Sequence, residues 1–280
     1  MKRFSFLYCL VFIFLSIACN NSSNNDEATT GESELAISTP VKLNYEVVKV
    51  HPHDTTSYTQ GLEWNGNKLI EGTGNYGKSV LHILDTNMKQ IGNKVQLGSN
   101  YFGEGTTLFG GKIYQLTWKE HKVFVYDEKT LKQVNEFYWP YEGWGLTHND
   151  TALIVSTGGS NIYFVDPANF SIKKTLGVFN SSGYVQYINE LEFVNGKIYA
   201  NLYEGNNIYS PDDIIVIDPI TGMISASIDL SNILPKVNVM NDPRMVNPGY
   251  VLNGIAYKKE SNTFFVTGKC WPVMIELKIK

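Results

Sequence analysis

With 280 residues, of which 43% are hydrophobic, the chain is long enough for one large all-β domain or two small ones. Its net charge of -4, with no basic run beyond the N-terminal leader, excludes a nucleic-acid-binding stripe and an anionic-membrane patch, and points to small neutral ligands or peptides. The 17 tyrosines and 14 phenylalanines, the absence of helical heptads, and apolar runs that stop at Gly, Asn, Asp or Pro indicate β structure.

In chain order, residues 1–18 place Lys2 and Arg3 before an apolar stretch that begins at Phe4, the pattern of a secretory leader removed from the mature protein. The run Leu15-Ser16-Ile17-Ala18-Cys19 resembles a bacterial lipoprotein cleavage site, with serine where leucine is usual, and marks Cys19 as the lipid anchor. An ordinary signal peptide followed by an incidental cysteine is the alternative. Residues 19–40 are polar, bury too little to order themselves, and read as a flexible tether. The expectation is an exported bacterial lipoprotein, periplasm-facing or at the cell surface, that meets the membrane only through its lipid. Of the three cysteines, Cys270 alone then belongs to the folded domain, residues 41–280, and no intramolecular disulfide is available to it.

Residues 45–51 alternate enough to form a strand, and five similar units follow. Each opens on a polar or aromatic residue, usually a glycine, and an apolar residue: Gln60-Gly61-Leu62, Glu104-Gly105-Thr106, Trp144-Gly145-Leu146, Asn189-Glu190-Leu191 and Asn253-Gly254-Ile255. Each continues through a turn into a second strand, at 68–74, 112–118, 152–158, 197–203 and 263–269. A third strand ends near an acid, at 79–85, 122–127, 161–166, 213–218 and 273–276. A repeat of roughly 40–50 residues built from short strands is the signature of a propeller blade, so the predicted fold is an all-β, five-bladed β-propeller. The last unit has no outer strand of its own. The N-terminal strand is expected to complete it, closing the ring by backbone pairing and hiding an edge.

Equivalent positions in successive blades form rings about one axis. The first ring is Gln60, Glu104, Trp144, Asn189 and Asn253; the second, from the end of the next strand, is Gly74, Trp118, Gly158, Tyr203 and Lys269. A carboxylate, amides, an ammonium and aromatics converge where a purely structural repeat would keep one residue type, so function is expected there. Glu104, flanked by glycines and aromatics, would be desolvated beneath a substrate, which raises its pKa toward acid–base use. Alternatively it accepts hydrogen bonds from strand-end amides. Lys269, the only cation of the second ring, suits an oxyanion stabiliser or a partner that keeps Glu104 ionised; the alternative is a solvated lysine at a strand end. Tyr58, Phe102, Trp118, Trp144 and Tyr203 either wall a pocket or pack neighbouring blades together. Gln60, Asn189 and Asn253 offer donors and acceptors to an uncharged ligand or to inner-strand backbone, and Asn253 has the most structural setting. His51 and His53 share a strand face, but no further His or Cys joins them at ligand spacing, so no metal site is predicted. Nothing in the spacing demands a structural calcium, and no phosphate loop, dinucleotide fingerprint or nucleophile elbow occurs.

The ring residues lie in stretches such as Tyr58-Thr-Gln-Gly-Leu62, Phe102-Gly-Glu-Gly-Thr106, Gly143-Trp-Gly-Leu-Thr-His148, Asn189-Glu-Leu-Glu192 and Val266-Thr-Gly-Lys-Cys-Trp-Pro272. Together these resemble the plant and bacterial type of glutaminyl cyclase, the glutamine cyclotransferase family, over about residues 45–277. The resemblance implies a five-bladed propeller that converts an N-terminal glutamine of peptides or proteins into pyroglutamate and releases ammonia. It also implies that no cofactor is required and that the catalytic zinc of the animal type is absent. It assigns Glu104 as the essential acid, Lys269 as the family's lysine, Gln60 and Asn189 as substrate-binding amides, and Phe102, Trp118 and Trp144 as pocket aromatics. Tyr58 stands where the family usually has phenylalanine and Tyr203 where it usually has tryptophan, which bears on substrate preference more than on reaction type. Segment 237–248 is longer than the family's usual connection and reads as a lid or rim loop. A monomer is expected. The rival reading is a non-catalytic peptide- or sugar-binding propeller lipoprotein, which would bind without releasing ammonia.

Overall fold

The apolar runs of the repeat become strands because each is short, rich in β-branched and aromatic residues, and bounded by turn residues. The computed structural model describes residues 39–206, 208–234, 236–237 and 249–280. The leader, Cys19, the tether up to residue 38 and residues 238–248 of the rim segment lie outside the described residues.

Strands β1 (Val41–Lys42) and β2 (Tyr45–Pro52) precede the first blade, β3 to β6 (Thr59–Asn65, Lys68–Thr73, Val80–Leu84, Gln90–Gln96). Blade two is β7 to β10 (Gly103–Phe109, Lys112–Thr117, Lys122–Asp127, Gln133–Tyr138), and blade three is β11 to β14 (Leu146–His148, Leu153–Ser156, Asn161–Val165, Ile172–Gly177). A short hairpin, β15 and β16 (Phe179–Asn180, Gly183–Tyr184), leads to blade four, β17 to β20 (Ile188–Val194, Lys197–Leu202, Asp213–Ile217, Ile224–Asp229). Blade five supplies β21 to β23 (Leu252–Lys258, Thr263–Gly268, Val273–Ile279). Its fourth strand is β2, antiparallel to β23 from Tyr45 opposite Ile279 to Pro52 opposite Val273, as expected from the repeat. The first and last parts of the domain therefore share one sheet, and the ring is closed by hydrogen bonds.

Burial falls from the axis outward. The inner strands β3, β7, β17 and β21 are buried at nearly every position, whereas the outer strands β6, β10 and β14 are exposed at most of theirs. Blade four departs from this because β1 adds in parallel to the edge of β20, which is mostly buried. The apolar core is divided into five clusters, one between each pair of neighbouring blades. The cluster that joins blade five to blade one packs Leu62, Trp64 and Leu69 against Ala256, Phe265 and Met274. Full burial of a side chain of this size contributes roughly 1.5–3 kcal/mol, so the seam is held by packing as well as by the ladder.

At the axis the inner strands approach backbone to backbone. A Cβ on Gly105 would stand 2.6 Å from the Trp144 carbonyl oxygen, and one on Gly145 would stand 2.8 Å from the Glu190 Cα, so both positions exclude a side chain. Blade four breaks the glycine pattern with Glu190, whose carboxylate crosses the axis. It accepts the backbone N–H of Ile255 at 2.8 Å and of Leu62 at 3.3 Å, tying blade four to blades five and one. One turn of the pleat further on, Glu63 accepts the Leu108 N–H at 2.9 Å and the Thr107 hydroxyl, and Glu192 accepts the Tyr257 N–H at 2.8 Å.

Candidate active site

Where the inner strands begin, the axis opens into a cavity of about 220 Å³ lined by Tyr58, Gln60, Phe102, Glu104, Trp118, Trp144, Asn189, Tyr203 and Lys269. These are the nine pocket residues named from the sequence. Gln60, Glu104 and Asn189 lie at the starts of the inner strands β3, β7 and β17; Trp118, Tyr203 and Lys269 directly follow β8, β18 and β22. Glycine at the second-ring position of blade three makes room for the wall: a Cβ on Gly158, where φ is +74°, would lie 2.6 Å from the Trp144 indole.

The aromatics form two runs of edge-on rings. Phe102 meets Tyr58 at 6.1 Å and Trp118 at 5.6 Å between centroids, and Trp144 meets Tyr203 at 5.7 Å. Lys269 stands between the runs, its Nζ 5.0 Å from the Tyr58 ring centre and 4.8 Å from that of Tyr203. Facing two π-systems suits an ammonium removed from water. Lys269 is thus not the solvated strand-end lysine of the alternative reading: it is 3% exposed.

Glu104 is 5% exposed and receives no hydrogen bond from the protein among the described residues. Burial holds its pKa well above the ordinary carboxylate value; Lys269 opposes that shift, while Glu120 and Glu142 add to it. Burial likewise pushes the Lys269 ammonium down to about 8, with Glu104 restraining the fall. The two groups act on each other across the cavity without ion-pair contact. The Gln60 amide is oriented by Asn253 behind it: the Asn253 Nδ2 donates to the Thr59 carbonyl at 2.9 Å and to Gln60 Oε1 at 3.1 Å, which leaves the Gln60 Nε2 as the free end. Asn189 Oδ1 is buried without a protein partner. A buried acceptor without a partner costs roughly 1–3 kcal/mol, so a ligand N–H placed there would be rewarded.

Lys269 rides on a tight turn. The Trp271 N–H donates to the Gly268 carbonyl at 3.1 Å, and Cys270, at φ +61°, donates its N–H to the Ser57 carbonyl at 2.8 Å. Positive φ in a non-glycine residue at this turn position is strained. His53 braces the turn from beneath: Nδ1 donates to the Trp271 carbonyl at 3.0 Å and Nε2 to Glu71 Oε1 at 3.0 Å. Burial alone would lower the His53 pKa, but the Glu71 carboxylate overrides it and the imidazolium is favoured. His82 donates to the other Glu71 oxygen at 2.7 Å, and the Thr59 hydroxyl to Oε1 at 2.7 Å. A second hollow of about 360 Å³ adjoins this network, whose charged groups already satisfy one another. His51 instead meets Glu276 at 3.2 Å, so the two histidines part company. Among the described residues, no three His, Cys, Asp or Glu side chains are grouped to hold a metal.

Two functional residues escaped the sequence reading. Glu142 accepts both indole N–H groups of the wall, from Trp118 at 2.7 Å and Trp144 at 3.1 Å. Glu120 accepts the Tyr76 hydroxyl at 2.8 Å and the Phe102 N–H at 3.3 Å. Their only sequence signal is proximity to Trp118 and Trp144.

Fold and cavity together define a β-propeller with a buried carboxylate and a buried ammonium lining one pocket. A family model described as glutamine cyclotransferase matches residues 13–279. The Arabidopsis thaliana protein named glutaminyl-peptide cyclotransferase is 33% identical over 281 residues, covering 100% of this chain and 84% of that protein. The crystal structure of Myxococcus xanthus glutaminyl cyclase matches with a TM-score of 0.77 at 32% identity, covering 86% of this chain and 99% of that one. The chain belongs to the glutamine cyclotransferase family.

Proposed function

We propose that this chain cyclises the N-terminal glutamine of peptides or proteins to pyroglutamate by metal-independent intramolecular aminolysis, with Glu104 moving the proton. Nucleophile and electrophile are already in one molecule, so the cavity has to fold the side chain back against the α-amine and exclude other conformers. The α-nitrogen forms a bond to the side-chain carboxamide carbon as the carbonyl π electrons move onto oxygen. The Glu104 carboxylate takes the proton that the attacking nitrogen sheds. It then passes that proton to the departing nitrogen, the C–N bond breaks, ammonia leaves and the carbonyl re-forms. The Lys269 ammonium and the Gln60 Nε2 face the developing oxyanion, each donor contributing on the order of 3 kcal/mol. Asn189 Oδ1 accepts a substrate N–H, and the aromatic walls exclude water.

The observation that carries this reading is one cavity holding a buried carboxylate free of protein hydrogen bonds opposite a buried ammonium. Incubation with an uncharged glutaminyl dipeptide and a chelator is expected to yield ammonia and pyroglutamate in equal amounts at the rate seen without chelator. Binding with no ammonia would select the non-catalytic reading, and loss of turnover on chelation would overturn metal independence.

A further inference from the structure

Glu142 occupies the gap between the two aromatic runs and takes no part in the chemistry above. Lys269 bridges the runs at Tyr58 and Tyr203. On the far side Trp118 and Trp144 belong to different blades, and it is Glu142 that connects them: the single oxygen Oε2 accepts the Nε1 hydrogens of both. An indole can only donate, and a charged carboxylate oxygen has lone pairs for two donors, so the pairing is chemically complete. The clip is anchored. The Glu142 carbonyl accepts the Trp139 Nε1 hydrogen at 3.2 Å, and the next residue, Gly143, donates its N–H to the Trp118 carbonyl at 3.0 Å. The other carboxylate oxygen lies 3.7 Å from Lys119 Nζ, which itself sits 3.9 Å from the centre of the Trp118 ring.

We propose that Glu142 is a positioning residue for the cyclisation: one carboxylate oxygen holds the Trp118 and Trp144 indoles at a fixed separation and so sets the width of the space in which the glutaminyl side chain folds back. This rests on the function proposed above. A wall free to splay would admit extended side-chain conformers, and small misplacements of reacting groups cost large factors in rate.

The test uses the full chain. Glu142→Ala is expected to lower kcat/KM for a glutaminyl dipeptide roughly tenfold or more. It should also shift the tryptophan emission relative to the unaltered protein, because two indoles lose their shared acceptor. Glu142→Gln keeps an acceptor oxygen without the charge and should recover most of both changes. In a Trp118→Phe background, where one clipped N–H is gone, the added cost of Glu142→Ala should shrink. Unaltered kcat/KM and emission in Glu142→Ala would overturn the proposal. So would a Glu142→Gln variant as impaired as the alanine one, since the charge acting on Glu104 would then be what matters. If the unaltered protein released no ammonia, the reading of the site would fall, while the emission of the variants would still decide the clip.

Discussion

Two neighbouring levels of the propeller axis hold buried carboxylates in opposite circumstances. Just behind the cavity, one residue along β17 from the pocket-lining Asn189, Glu190 is wholly buried, and its pKa is raised well above the ordinary value by burial, as is that of Glu104 in the cavity wall. Yet both Glu190 oxygens are occupied, by the N–H groups of Leu62 and Ile255. Glu104 has neither hydrogen bond, lines a cavity and faces an ammonium. A perturbed pKa therefore does not separate a functional acid from a structural one in this molecule. Unused hydrogen-bonding capacity beside open space does, because only a group with capacity to spare can take a proton from a substrate.

The contrast breaks most sharply on substitution of each of the two acids in turn. Glu104→Gln is expected to cut ammonia release by a factor on the order of 10²–10⁴ with the circular dichroism and melting temperature unchanged, since no structural hydrogen bond is lost. Turnover close to that of the unaltered protein would remove Glu104 from the mechanism. Glu190→Ala should do the reverse: leaving two buried N–H groups unpaired costs roughly 2–4 kcal/mol of stability, read as a lower denaturant midpoint, and Glu190→Gln should cost less because it keeps an acceptor. If the alanine variant unfolded at the midpoint of the unaltered protein, the axial carboxylate would not be tying the blades.

Much of the architecture was legible in the chain because propeller blades repeat. The second and third strands of each unit read as apolar runs, and their predicted limits fall within a few residues of the observed ones: 68–74 against Lys68–Thr73, and 122–127 against Lys122–Asp127. The outer strands β6, β10 and β14 were missed because they face solvent and carry polar residues such as Gln90, Asn93, Asn135 and Lys173, so no apolar period marks them. Strand β1 is two residues long and is defined by its partner, Ala226 and Ser227, not by its own sequence. The nine cavity residues emerged from ring equivalence and family resemblance together. Glu142 and Glu190 did not reveal their roles, since each acts on residues of other blades: Glu142 on Trp118, Glu190 on Leu62 and Ile255. His53 was read with His51 as one strand face, but β2 ends at Pro52 and the chain turns His53 toward Glu71.

The central claim is that Glu104 and Lys269 sense each other across one cavity. Infrared titration of the protonated carboxyl band that disappears in Glu104→Gln reports the Glu104 pKa directly, with no need for turnover. Lys269 is the group that lowers that pKa against the effect of burial, so Lys269→Met should displace the titration to higher pH, with the carboxyl staying protonated over a wider range. A titration midpoint identical in the two proteins would contradict the account, because the acid and the amine would then be strangers to each other.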